Sequence, residues 1–134
     1  MKMIQKKIDI VISLVIFLGT VLLSNQGYAG TGVPISCAAQ VQGKIAWDYN
    51  GNKQWAQNNI TRLCDGAENS PEPARCFDQV MHGGINWGGG IQWEWKNAID
   101  LCQGSTNANR TTRCFQGEIK KGKTWQTAIQ ACGR

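Results

Sequence analysis

Apolar positions in this chain fall into blocks that open and close on cysteine. One block runs from Cys76 to Cys102, with Phe77, Val80 and Met81, a glycine-rich stretch around Trp87, and then Trp93, Trp95, Ala98, Ile99 and Leu101. A shorter version runs from Cys114 to Cys132, with Phe115, Ile119, Gly122, Trp125, Ala128 and Ile129. A more diverged version comes first, from Cys37 to Cys64. Trp95, Ala98, Ile99 and Cys102 stand at i, i+3, i+4 and i+7, and Trp125, Ala128, Ile129 and Cys132 repeat that spacing residue for residue. Ala56, Ile60 and Leu63 keep an i, i+4, i+7 spacing in the first block. Such spacing lines up one apolar stripe along an α-helix. Each block therefore reads as helix, turn, helix. The predicted fold is mainly α: three helical hairpin repeats, 37–64, 76–102 and 114–132, within one domain spanning 37–134.

The repeats differ in what joins their helices. The first carries Ile45 to Trp55, with Trp47, Tyr49 and the pair Asn50-Gly51; the second carries Ile85-Asn86-Trp87 and three glycines. Asn-Gly tolerates positive φ at both positions and favours a tight turn, so the flanking Trp47, Tyr49 and Trp55 suit either a small β-hairpin or an ordered loop. The third repeat has only Lys121-Gly122-Lys123, with Thr124 as a cap for the last helix. The expected core comprises Phe77, Val80, Met81, Trp95, Ala98, Ile99, Leu101, Phe115, Ile119, Trp125, Ala128 and Ile129. Cys64 to Cys76 and Cys102 to Cys114 are both separations of twelve positions, and each linker ends in Arg-Cys-Phe. Gly66 and Gly104 suit helix ends that need a left-handed residue. Ser70-Pro71 and Thr111-Thr112 offer N-cap chemistry to the helices that follow.

Cysteine placement adds a covalent expectation. All six cysteines lie after residue 36, none in the close Cys-x-x-Cys spacing of metal or redox sites. Antiparallel helices joined by a loop bring their outer ends together, which favours Cys37–Cys64, Cys76–Cys102 and Cys114–Cys132. The rival wiring joins Cys64 to Cys76, Cys102 to Cys114 and Cys37 to Cys132. Residues 1–29 read as a secretory signal: Lys2, Lys6 and Lys7, then an apolar run from Ile10 to Leu23, then Gly27-Tyr28-Ala29. That run is shorter than the about 20 residues a bilayer core requires, so no stable membrane span is expected after cleavage. Residues 30–36 form a short leader, and the expected location is periplasmic or secreted.

Charge changes the picture little. The chain carries a formal +5, part of it in the signal segment, and its one basic cluster is Lys120-Lys121-Gly122-Lys123. Lys44, Lys53 and Lys96 are too few near the aromatic inserts for a nucleic-acid site. His82 is the sole histidine and has no evident nucleophile beside it. Asp48, Glu94, Asp100 and Glu118 are carboxylates that nothing in the sequence pairs across a cleft. No catalytic residue, metal or cofactor is therefore expected, and the chain does not read as an enzyme. The aromatic residues carry the remaining information. Trp95 and Trp125 share the helical stripe and are expected to pack inside. Trp47, Tyr49, Asn50, Trp55, Asn86, Trp87 and Trp93 sit in or beside the inserts, and flat indoles flanked by amides suit a ligand platform. The alternative is that these rings plug a small core. The expected function is an exported binding protein for a glycan or cell-envelope polymer. The runner-up is a protein-interaction module, such as an inhibitor of a secreted or host enzyme, with the same rings as hot spots.

Overall fold

The computed structural model describes residues 35–133. The expected signal segment 1–29 and most of the 30–36 leader lie outside that range. Six helices follow one another: α1 (Cys37–Val41), α2 (Gln57–Cys64), α3 (Glu72–His82), α4 (Trp95–Cys102), α5 (Ala108–Lys120) and α6 (Trp125–Cys132). Local chemistry sets their ends. Ser36 Oγ accepts from the Ala39 amide at the start of α1, and Asn107 Oδ1 from the Arg110 amide at the start of α5. Thr124 caps α6 as the sequence predicts, accepting from the Thr127 amide. The α5 start differs from expectation: Thr111 and Thr112 lie inside the helix, because Asn107 captures the cap four positions earlier. The buried Thr112 hydroxyl instead donates to Ala108 O.

The helices pack in two rows. α1, α3 and α5 touch in sequence, as do α2, α4 and α6, and each odd-numbered helix also packs on the even-numbered helix after it. Disulfides close those pairs: Cys37–Cys64, Cys76–Cys102 and Cys114–Cys132, with Cα separations of 5.5–5.6 Å. Among the described residues no cysteine is free. Three such bonds are consistent with an oxidising extracellular environment. Among the described residues, no helix is long and apolar enough to cross a membrane.

Polar bonds lock neighbours within each row. Arg62 on α2 pairs with Asp100 on α4, Gln103 Nε2 donates to Asp65, and the Gly104 amide donates to Leu63 O at 3.0 Å. In the other row Glu72, at the first turn of α3, accepts from the Ala108 amide at the first turn of α5 (2.8 Å). Gly66 and Gly104, at φ +82° and +63°, turn the chain out of α2 and α4 where a side chain would be strained.

The apolar contacts between pairs are ring contacts. Trp55 meets Phe77 at 4.7 Å between centroids, and Trp93 meets Phe115 at 4.9 Å; in both cases the second ring is 22 positions on. All four rings are buried. The buried indole N–H groups are satisfied in the same way, Trp55 on Ile45 O at 2.9 Å and Trp93 on Ile85 O at 2.7 Å. Trp55 and Trp93 thus take the core-plugging alternative open to the insert rings, whereas Trp95 and Trp125, expected inside, are half-buried, as are Ile119 and Ile129. The remaining expected core residues are fully or almost fully buried.

Of the two conformations the first insert could take, it adopts the ordered loop: the described residues contain no strand. Trp47 N–H does reach Asn52 O, and Gly43 N–H reaches Lys53 O, but no ladder forms between them. Side chains intercept the backbone donors. Asp48 Oδ1 accepts from the amides of Asn50 and Asn52, and Asn52 Oδ1 from that of Gln54. Short polar side chains of this kind compete with regular secondary structure.

Trp55→Ala is expected to destabilise the protein by about 3–5 kcal/mol, since it empties a buried ring site and leaves Ile45 O unpaired. Chemical denaturation of the oxidised protein measures this. Peptide mapping without reduction should recover the three bonds named above. Removing one of the two fully buried pairs, Cys37–Cys64 or Cys76–Cys102, should cost about 2–4 kcal/mol.

Candidate functional site

The junctions between consecutive helix pairs carry two clefts. The first, about 130 Å³, is lined by Trp47, Gln54, Trp55, Ala56, Asn59 and Trp95. The second, about 180 Å³, is lined by Trp87, Gln92, Trp93, Glu94, Asn97 and Trp125. These sets correspond position by position: insert tryptophan, glutamine, buried tryptophan, helix N-cap residue, asparagine one turn on, and the first residue of the next pair's second helix. Both volumes fall below the roughly 300–1,000 Å³ of pockets for drug-sized ligands. Each is of a size for a single ring.

Local structure explains why the rings stand where they do. Trp87 donates its indole N–H to Gln92 O at 3.1 Å, and its backbone N–H to Gly90 O. Its six-membered ring lies against Gly89, where any side chain would collide with it. Across the second cleft stands Trp125, at the first position of α6. In the first cleft Trp47 and Trp95 meet edge to face at 5.9 Å and 76°. The indole N–H groups of Trp47, Trp95 and Trp125 have no protein partner among the described residues, so three donors remain for a ligand. Gln54 and Gln92 are exposed, and Asn59 and Asn97 half-buried, which offers amides at the rims.

The structure distributes the sequence-derived candidates unevenly. Trp47 and Trp87 line clefts with half-exposed rings, while Trp55 and Trp93 form the cleft floors from the core. Tyr49 is 46% exposed, but its hydroxyl is committed: it accepts from the Trp93 amide at 2.6 Å and donates to Ile91 O at 3.3 Å. Tyr49 thus ties the first insert to the segment that carries Gln92 and Trp93. Asn50 lies in the turn held by Asp48, and Asn86 Oδ1 accepts from the Gly88 amide; neither lines a cleft. Sequence reasoning missed Trp95, Trp125, Asn59, Asn97 and Glu94 as cleft residues. Their signal was present in the tryptophan at the first helical position of α4 and α6, which Gln57 replaces at the start of α2.

Other chemistry-bearing groups are engaged elsewhere. His82 Nε2 sits 2.8 Å from Ala46 O, with its ring edge-on to Tyr49. Asp100 pairs with Arg62, Glu118 with Lys121, and Asp48 holds the first insert. Of the four candidate carboxylates only Glu94 lines a cleft. No cluster of three or more His, Cys, Asp or Glu side chains suited to a metal ion occurs among the described residues. Outside the clefts, the Gly66 amide donates to Glu68 and holds that carboxyl below its ordinary range.

Compared with protein-family models, with curated proteins and with solved structures, the chain matches none.

Gly89→Ala is expected to swing Trp87 out of the second cleft. The far end of an exposed ring moves at low cost, so unfolding stability should change by less than about 1 kcal/mol. Near-ultraviolet circular dichroism should change while the far-ultraviolet signal stays constant.

Proposed function

We propose that the three disulfide-closed helix pairs are copies of one unit, and that the chain is an exported, non-enzymatic binding protein. Its two junction clefts hold rings of a glycan or cell-envelope polymer, in the periplasm or outside the cell. The observation that carries this reading is the duplication of the cleft. If the rings served only to fill space, the rim amides would be free to vary. Instead Gln54 and Gln92, and Asn59 and Asn97, occupy matching places beside matching indoles. A sugar ring fits such a cleft: its C–H face packs on an indole while its hydroxyl groups bond amides and indole N–H groups. The three disulfides support a location outside the reducing cytosol. A linear polymer suits two clefts better than a small ligand does, because neighbouring helices of one row lie about 8–10 Å apart. One strand therefore reaches both clefts, and the second contact becomes intramolecular.

Soluble envelope glycans are expected to quench or shift the tryptophan emission. Trp87→Ala and Trp125→Ala should each weaken binding by about tenfold or more, because each removes a half-exposed ring from one cleft. Melting temperature should hold for both variants, in contrast to Trp55→Ala. A glycan array without a binder, together with recovery of a secreted enzyme in pull-downs, would replace this reading with the protein-interaction one.

A further inference from the structure

The two clefts differ in kind at one lining position. Where the first has Ala56, the second has Glu94, each at the N-cap of its helix. The Glu94 side chain makes no capping hydrogen bond, and it is solvent-exposed. It also makes no ion pair: among the described residues these join Arg62 to Asp100, Arg75 to Glu72 and Lys121 to Glu118. A carboxylate with no protein partner thus stands at the rim of an indole-lined cleft.

A separate difference concerns the ring supplied by the following helix pair. In the first cleft Trp95 already carries a cation, with Lys96 Nζ 5.5 Å from the ring centroid. In the second cleft Trp125 is followed by Gln126, and no cation lies over its ring among the described residues. The outer ring of the first cleft therefore already has a cation over it and that cleft is lined by no carboxylate, whereas the second is lined by a carboxylate and has no cation over its outer ring among the described residues. Both differences favour a cation in the second cleft and disfavour one in the first.

Resting on the glycan reading above, we infer that the second cleft selects a sugar bearing a free amino group, of the glucosamine class. Glu94 is its specificity-determining residue. The ammonium group of such a sugar meets the Glu94 carboxylate while the ring packs between Trp87 and Trp125. N-acetylation removes the charge and with it the preference. The first cleft, lacking the carboxylate, takes neutral rings of the same polymer.

The test titrates the full chain, in mildly acidic buffer of low ionic strength, with β-1,4-linked hexamers of glucosamine and of N-acetylglucosamine. The unacetylated hexamer is expected to bind roughly tenfold tighter, in line with a charge-assisted contact beside aromatic faces. Glu94→Gln should bring the two hexamers to the same affinity, and Ala56→Glu should widen the difference between them. Equal affinities in the unaltered chain, or a preference that survives Glu94→Gln, overturn the inference while leaving the glycan reading standing. Binding of neither hexamer overturns the inference, and the glycan array then decides the glycan reading separately. Binding of choline alone assigns the cleft to a quaternary ammonium group and overturns the sugar identity.

Discussion

An indole laid against the phenylalanine of the next helix pair is the contact on which this domain depends. Trp55 on Phe77 and Trp93 on Phe115 are the buried ring pairs that join one disulfide-closed pair to the next. The disulfides act within pairs and place no restraint between them. Without the rings, the pairs would be held to one another by helix contacts, a few hydrogen bonds and an exposed ion pair. Exposed pairs contribute at most about 1 kcal/mol. A buried aromatic ring contributes several times that.

The ends of the stack show the same logic from the other side. Among the described residues, tryptophan and phenylalanine stand only where they have a neighbouring pair to meet. Ala38 occupies in the first pair the place of Phe77 and Phe115, and Gln57 that of Trp95 and Trp125; both are exposed. Lys123 occupies in the third pair the place of Trp55 and Trp93, and it too is exposed. All six tryptophans of the chain belong to the two junctions.

The clefts follow from the way each junction is built. The inner ring is sealed against the core, with its N–H spent on a carbonyl of its own insert. The outer two rings come from different helix pairs and pack against the core on one side only. They therefore stay half-exposed over a rigid floor. The floor of the second cleft is held from the preceding insert as well, since Tyr49 fixes the backbone on both sides of Gln92. A site whose rings are fixed before a ligand arrives loses little entropy on binding. The same construction accounts for the matching of the clefts and for the localisation of their difference to the cap position and the residue after the outer ring.

Helical content and the favoured cysteine wiring were legible in the chain, because they depend on interactions between residues close in sequence. A 3.6-residue period marks an apolar stripe wherever the stripe ends up, and a loop of limited length brings only certain cysteines together. The choice between strand pair and ordered loop around Asn50-Gly51 was not legible, since it turns on Asp48 and Asn52 diverting backbone donors that a turn signal alone leaves free for a ladder. Nor was the exchange of roles among the tryptophans. Trp95 and Trp125 hold positions on a helical stripe, and Trp55 and Trp93 lie outside any helix, so periodicity assigns burial to the wrong set. Burial was decided by stacking: α4 and α6 each set their first turn against the insert of the preceding pair, whose buried indole holds the inner place. Sequence determined the helices and their cross-links; only the tertiary arrangement, through which ring lies on the neighbour's phenylalanine, decided which tryptophans stay half-exposed.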